Sequence, residues 1–220
     1  MDNFLKFKII MTGVGVLYVW SLPFLSHIGF AEPKSNSISG YIANPPATGA
    51  MSAVSFIPLT IIWEYQDIII ENIVAKKCAV VWFGNSMYYT TIVFQISYGT
   101  FLVCTYGYVK NWIHTLSVIT FCLSFSIHSL LSLLYSYSTI VTKTILAIGS
   151  LACIGLLTLM ILDISSVWFW VLECIGITSM FIFTPVEWIM INKDKDQDDN
   201  SYYINQNSEE MRENLIRDSV

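Results

Sequence analysis

The sequence contains few charged residues: Asp, Glu, Lys and Arg make up 12% of its 220 residues. An ordinary soluble domain is charged at about a quarter of its positions, so this scarcity excludes a typical soluble globular protein. The formal net charge of −5 comes largely from the carboxyl-terminal tail. It indicates no nucleic-acid partner, because a nucleic-acid surface is expected to be basic.

The motifs of several membrane-protein and enzyme classes are also absent. The last apolar segment has no lysine, which excludes the Schiff base of a retinal protein. No TVGYG-like filter of a potassium channel occurs. The sequence also lacks H-E-x-x-H, H-x-x-E-H and paired-cysteine metal motifs. We therefore predict no cofactor and no metal site, and we find no recognisable catalytic motif.

Cysteine is sparse, and none of the five lies in a predicted extracytoplasmic loop. A disulfide framework is therefore excluded. Four of the cysteines fall within apolar segments, where they suit the packing of small side chains. Cys78 instead follows a Lys-Lys pair at the mouth of a predicted helix, which makes it a candidate for S-palmitoylation.

Long apolar runs dominate the rest of the chain, and 55% of all residues are hydrophobic. A spanning helix needs about 20 predominantly apolar residues. Six stretches meet this requirement, and they lie at about 7–27, 46–63, 80–106, 113–136, 144–162 and 167–191. The sequence therefore predicts an all-α polytopic membrane protein, a bundle of six transmembrane helices.

The basic residues predict the orientation of this bundle. With Met1 in the cytosol, nine of the eleven Lys and Arg residues stay on the cytosolic side, and only Lys34 and Lys110 lie on the other side. Lys and Arg near helix ends are retained in the cytosol, so both termini are predicted to be cytosolic. The chain then divides into a transmembrane domain, 1–191, and an acidic, disordered cytosolic tail, 192–220.

Two connections have distinctive compositions. The lumenal loop 28–45 is rich in Gly, Pro, Ser and Asn, which predicts irregular structure. The cytosolic loop 64–78 mixes charges with isoleucines, which is typical of an amphipathic turn lying against the membrane. The remaining loops are short, so the third to sixth helices are predicted to be antiparallel neighbours.

Ionisable residues inside apolar segments are costly, and each is a candidate functional residue. His114 opens the fourth span and His128 lies fourteen residues later, on nearly the same helix face and about 21 Å deeper. His128 suits a structural hydrogen bond as well as a functional role, and His114 suits contact with a lipid head group or with a side chain. Gln95, in the third span, suits an interhelical hydrogen bond or a place in a lipid pocket.

Glu173 lies about 9 Å inside the sixth span by helical rise. A carboxylate at that depth must pair, face a wet cavity or stay protonated. Structural pairing and functional use both remain open for it. We predict that His114 and Glu173 face each other in the lumenal half of the bundle and form its polar centre.

Several segments resemble a known family. They are LPFLSHIGFAEP (22–33), LVCTYGY (102–108), the run WIHTLSVITFCLSFSIHSLL (112–131) and WVLECIGITSMFIF (170–183). Together they are similar to the superfamily of FRAG, DRAM and SFK membrane proteins, which includes the N-terminal region of CWH proteins. The spacing of the two histidines resembles the branch of post-GPI-attachment-to-proteins factor 2. The chain departs from that branch at Gln95, where an acidic residue is expected, and at Cys174, where an aromatic residue is expected.

This resemblance implies a Golgi or endoplasmic reticulum protein that remodels or handles the lipid of GPI anchors. Its partners would be membrane lipids, including the GPI-anchor lipid, held by His114, Glu173, His128 and Gln95. The DRAM branch implies an alternative, a lysosomal membrane protein that modulates autophagy as a scaffold. No internal repeat is found, and this disfavours a transporter built from inverted repeats.

Overall fold

The structure, a computed structural model, describes residues 3–32, 34–75, 81–104, 111–134, 139–164 and 167–190. All regular secondary structure in these ranges is helical. The helices are α1 (Asn3–His27), α2 (Ile38–Tyr41), α3 (Pro45–Ala75), α4 (Val81–Val103), α5 (Asn111–Leu134), α6 (Ile140–Ile161) and α7 (Val167–Met190).

Helices long and apolar enough to cross a membrane account for most of the described residues. There are five such segments in these ranges: Lys6–His27, Pro45–Trp63, Trp112–Leu134, Ile140–Ile161 and Val167–Met190. Each reaches or approaches the length of about 20 residues that a bilayer requires. The prediction of an all-α membrane protein is therefore confirmed.

The third predicted span, 80–106, differs from the other five. Here the structure has α4, whose 23 residues are long enough to cross a bilayer. Its polar residues, among them Thr90, Thr91 and Gln95, lower its hydropathy, and α4 is not among the five segments. Because α4 packs against both α3 and α5, many of its side chains face protein, where polar groups are tolerated.

The predicted cytosolic loop 64–78 is a second difference. Residues 64–75 continue α3 as helix, well past the predicted span of 46–63. No Gly or Pro interrupts this stretch, and its Glu, Gln and Ile residues are compatible with a helix, so no local signal ends α3 there. The end of the predicted loop, 76–78, lies outside the described residues.

The surface of the bundle carries many large apolar side chains. On α1, exposed apolar residues recur every three or four positions, as at Phe7, Ile10, Val14 and Leu17. On α5 the buried side chains include polar ones, Ser117, Ser124, His128 and Ser132, beside apolar ones. Apolar side chains outside and polar side chains inside are what lipid as solvent favours.

Helix α7 is central in the bundle because it contacts helices on several sides. Trp20 of α1 donates a hydrogen bond from Nε1 to the hydroxyl of Thr178, at 2.9 Å. On α6, a Cβ added to Gly149 would lie 2.6 Å from Cβ of Ser179, so the two backbones approach closely. Small residues permit this close packing between membrane helices, where van der Waals contact drives association.

An aromatic cluster fills the middle of the bundle. The ring of Phe125, fully buried on α5, lies 5.9 Å from that of Phe94 on α4. The rings of Phe121 and Phe183 are both 6.3 Å from it, the second on α7. These centroid distances suit attractive aromatic packing, so the cluster joins α4, α5 and α7.

Candidate functional site

A polar cavity of about 320 Å³ lies at one end of the bundle. It opens where α6 ends and where α5 and α7 begin, and the segment between α1 and α3 forms one wall. Its volume is within the range of small-molecule sites, about 300–1,000 Å³. Its lining residues are Ser35, Asn36, Ser37, Ser39, His114, Thr115, Val118, Leu159, Met160, Asp163, Ile164, Phe169 and Glu173.

Glu173 reaches this cavity from the second turn of α7 and is only 6% exposed. Its Oε2 accepts a hydrogen bond from the backbone N–H of Ile38, the first residue of α2. The first N–H groups of a helix have no partner within the helix. This hydrogen bond therefore connects α7 to the wall segment, residues 28–44 between α1 and α3, although 135 residues separate the two positions in sequence.

A short chain of serine hydroxyls orders the same wall. Oγ of Ser37 lies 2.7 Å from Oγ of Ser35 and 3.0 Å from that of Ser39. Ser37 is also the N-cap of α2 and accepts the N–H of Gly40 at 2.9 Å. A serine cap of this kind stabilises a helix start by about 0.5–2 kcal/mol.

Close packing makes glycine necessary at position 40. A Cβ at Gly40 would lie 2.2 Å from Oγ of Ser35 and 2.5 Å from its carbonyl oxygen. The backbone N–H of Lys34 also donates to the carbonyl of Gly40, at 3.1 Å. The wall is thus folded tightly on itself, and its described residues outside α2 are irregular, as predicted for 28–45.

His114 stands in the first turn of α5 and is 8% exposed. Its Nδ1 lies 2.8 Å from the carbonyl oxygen of Cys104, and its ring lies 5.5 Å from that of Phe101. A carbonyl can only accept, so Nδ1 carries the hydrogen in this bond. In the neutral ring Nε2 is then the acceptor nitrogen.

His114 and Glu173, predicted to form a polar centre, line the same cavity. The hydrogen bonds to Cys104 and Ile38 hold each side chain through a backbone group. Asp163 joins them at the exposed end of α6, where its backbone turns with φ of 53°. The site therefore combines two carboxyl groups, an imidazole and several hydroxyls.

A second, much smaller cavity of about 20 Å³ lies next to the first. Val118 and Glu173 line both, and the walls of the smaller one are otherwise apolar apart from Tyr98 and two cysteine thiols, Cys122 and Cys153. This volume holds about one water molecule. Glu173 thus stands at the boundary between the polar cavity and the apolar interior.

The other predicted site residues lie elsewhere. His128 is buried between the rings of Phe94 and Phe183, and its Nδ1 lies 3.3 Å from each hydroxyl of Thr90 and Thr91. It does not line either of these cavities. Its surroundings are those of a structural histidine that connects α5 to α4.

Gln95 and Cys78 complete the predicted set. Nε2 of Gln95 donates to the carbonyl of Leu59 at 3.2 Å, which is an interhelical hydrogen bond between α4 and α3. Gln95 does not line the polar cavity. Cys78, the candidate lipidation site, lies outside the described residues.

Sequence reasoning missed a buried polar group at the opposite end of the bundle. Glu187, in the last turn of α7, is only 2% exposed. Lys8 is buried nearby, with Nζ 5.3 Å from the centroid of the Trp188 ring, an attractive cation–π contact. The sequence did contain a signal for this contact, because Lys8 near the start of α1 and Glu187 near the end of α7 are charged residues at the same end of the predicted bundle.

The serine wall, formed by Ser35, Ser37 and Ser39 around α2, was also missed. α2 is only four residues long, which is too short to show a helical periodicity in the sequence. Its sequence signal is Ser37 followed by a glycine three positions later.

Comparison with protein-family models, curated proteins and solved structures found no match to this chain.

Proposed function

We propose that the chain is a six-span membrane protein that handles membrane lipids and binds a lipid head group in the polar cavity. The observation that carries this proposal is a buried carboxyl group, that of Glu173, lining an open polar cavity at the end of a lipid-facing helical bundle. A helix end lies at the depth where polar head groups meet hydrocarbon. A lipid would place its head in the cavity and its chains along the exposed apolar surface.

The residues suggest the lipid class only through the family that they resemble. We propose that the lipid is that of a GPI anchor, handled during remodelling in the Golgi or endoplasmic reticulum. His114 and Glu173 belong to two of the segments that carry the resemblance, and both line the cavity. The alternative, a lysosomal scaffold of the DRAM type, requires a packed bundle but no occupied cavity.

The six spans and cytosolic termini are part of the proposal. It is supported by the length of α4 and by its packing between α3 and α5. Lys6 and Lys8 at the start of α1, and Lys143 at the start of α6, then lie at the same end of the bundle. Lys34 lies at the other end, with the cavity, which becomes the lumenal end.

Orientation can be tested by protease protection on sealed microsomes. We expect an epitope at the carboxyl terminus to be digested, because it lies outside the vesicle. An epitope inserted after Lys34 should be protected until detergent is added, and it serves as the matched control. A protected carboxyl-terminal epitope would reverse the topology and place the cavity on the cytosolic side.

Lipid binding can be tested by mass spectrometry of lipids that co-purify in mild detergent. Thr115 is exposed and lines the cavity, so Thr115→Trp fills the space without disturbing a buried site. Leu116 is exposed beside it and does not line the cavity, so Leu116→Trp adds the same bulk to the lipid-facing surface. We expect Thr115→Trp to reduce the retained lipid about tenfold, equivalent to ~1.4 kcal/mol.

The matched control, Leu116→Trp, should keep the wild-type lipid content. An enriched GPI-like or phosphoinositide lipid in the wild-type protein would support the GPI-anchor proposal. Equal lipid in all three proteins, or none in any of them, would favour the scaffold.

A further inference from the structure

Apart from His114, the ionisable side chains that line the polar cavity are acidic. Glu173 and Asp163 supply two carboxyl groups, and no Lys or Arg is present among the described residues that line it. Lys34 adjoins the wall in sequence but is exposed and does not line the cavity. A phosphate held inside would therefore face two carboxylates without the Lys or Arg that normally binds it.

The hydrogen-bonding groups of the lining point to the same ligand chemistry. A carboxylate accepts through two oxygens, so the bond from Ile38 uses only part of the capacity of Glu173. The wall serines add hydroxyl oxygens. The lining is thus rich in acceptors.

An ammonium group complements such a lining, since it carries a positive charge and three N–H donors with no acceptor. Glu173 is almost fully buried at the edge of the apolar interior, where a charge pair is stronger than in water. Binding a cation there also offsets the desolvation of the carboxylate. A neutral polyol would form hydrogen bonds but no charge pair.

We propose that the cavity selects a lipid whose head group carries a protonated primary amine, paired with Glu173 and with Asp163 at the mouth. This inference rests on the proposed function, because it concerns the ligand of the same cavity. The phosphate of such a lipid lies outside the cavity, and the amine enters it. Phe169, which also lines the cavity, supplies an apolar contact beside the amine.

The test compares two lipids that differ only at the amine. Phosphatidylethanolamine and N-acetyl-phosphatidylethanolamine are titrated separately into the purified full-length protein in detergent, with thermal stabilisation as the readout. We expect phosphatidylethanolamine to bind at least about tenfold more tightly than N-acetyl-phosphatidylethanolamine. Soluble phosphoethanolamine is titrated as a third ligand. If it bound as tightly as phosphatidylethanolamine, the site would recognise a free amine, and the proposal of a lipid ligand would be overturned.

Glu173→Gln keeps the size of the side chain and an acceptor for Ile38 but removes the charge. It should reduce the preference for the amine to about twofold or less. Glu187→Gln makes the same substitution at the other end of α7, outside the cavity, and should keep the wild-type preference. If Glu173→Gln fails to fold, the exposed Asp163→Asn serves instead and should weaken the preference.

The two proposals fail in different ways. Equal binding of both lipids by the wild-type protein would overturn the selection of an amine and leave lipid binding intact. An unchanged preference in folded Glu173→Gln would also overturn the inference. Failure of both lipids to stabilise the protein would likewise overturn the selection of an amine, whereas the proposed function itself is overturned by the absence of any co-purifying lipid.

Discussion

Replacing Phe125 by alanine is expected to destabilise the bundle by about 3 kcal/mol, near the lower end of values for buried Phe→Ala changes. Phe125 is fully buried and packs against Phe94, Phe121 and Phe183. In a membrane the unfolded helices remain in lipid, so the transfer of apolar surface contributes less than in water. The unfilled cavity, with its lost van der Waals contacts, accounts for most of the loss.

Reversible unfolding of the purified protein in mixed micelles would measure this change. Leu123→Ala provides the control, since Leu123 is about half exposed on the lipid-facing side of the same helix. Its truncation leaves no enclosed space and should change the free energy of unfolding by less than about 0.5 kcal/mol. Equal losses for the two variants would contradict the aromatic cluster as the centre of packing.

Replacing Gly40 by alanine is expected to remove most of the lipid that co-purifies with the protein. The added methyl group would overlap the backbone and hydroxyl of Ser35, so the wall segment must shift. Such overpacking costs about 1–3 kcal/mol. If this cost falls on the cavity rather than on the bundle, lipid binding weakens about tenfold for each 1.4 kcal/mol.

Gly49→Ala is the matched control, because a Cβ at Gly49 meets no atom within 4 Å. Gly49 lies in α3, where alanine is favoured over glycine by about 0.8–1.0 kcal/mol. This variant should keep its lipid and be slightly more stable. A Gly40→Ala protein with wild-type lipid content would show that the wall does not shape the ligand site.

The helices were largely predictable because each is a long apolar run without strong breakers. The run predicted as 167–191 is helix over Val167–Met190, and the run predicted as 144–162 is helix over Ile140–Ile161. The predicted end of the second span at 63 agrees with the apolar segment Pro45–Trp63. The helix itself continues to Ala75, since charge marks the end of an apolar run but not the end of a helix. The run predicted as 80–106 is helix over Val81–Val103, and its polar residues are compatible with a place between other helices.

The site was predictable only in part. His114 and Glu173 were identifiable because an ionisable residue in an apolar run is conspicuous and because both lie near the same end of their helices. The partner of Glu173 was not identifiable. It is the backbone N–H of Ile38 in α2, 135 residues away, and a backbone group carries no sequence signal. His128 shares a helix face with His114, yet depth separates them, and the deeper ring lies among aromatic side chains.

The contact between Glu173 and Ile38 has a consequence for biosynthesis. A chain is made from its amino terminus, so the serine wall leaves the ribosome long before α7. Until α7 enters the bilayer, the wall lacks its hydrogen bond to Glu173. α1 and α6 also lack their contacts with α7, although α3 and α5 are already there to pack against them. The cavity is thus completed by the last described helix, and an intermediate with α1–α6 inserted has the wall but not the Glu173 side chain that holds it.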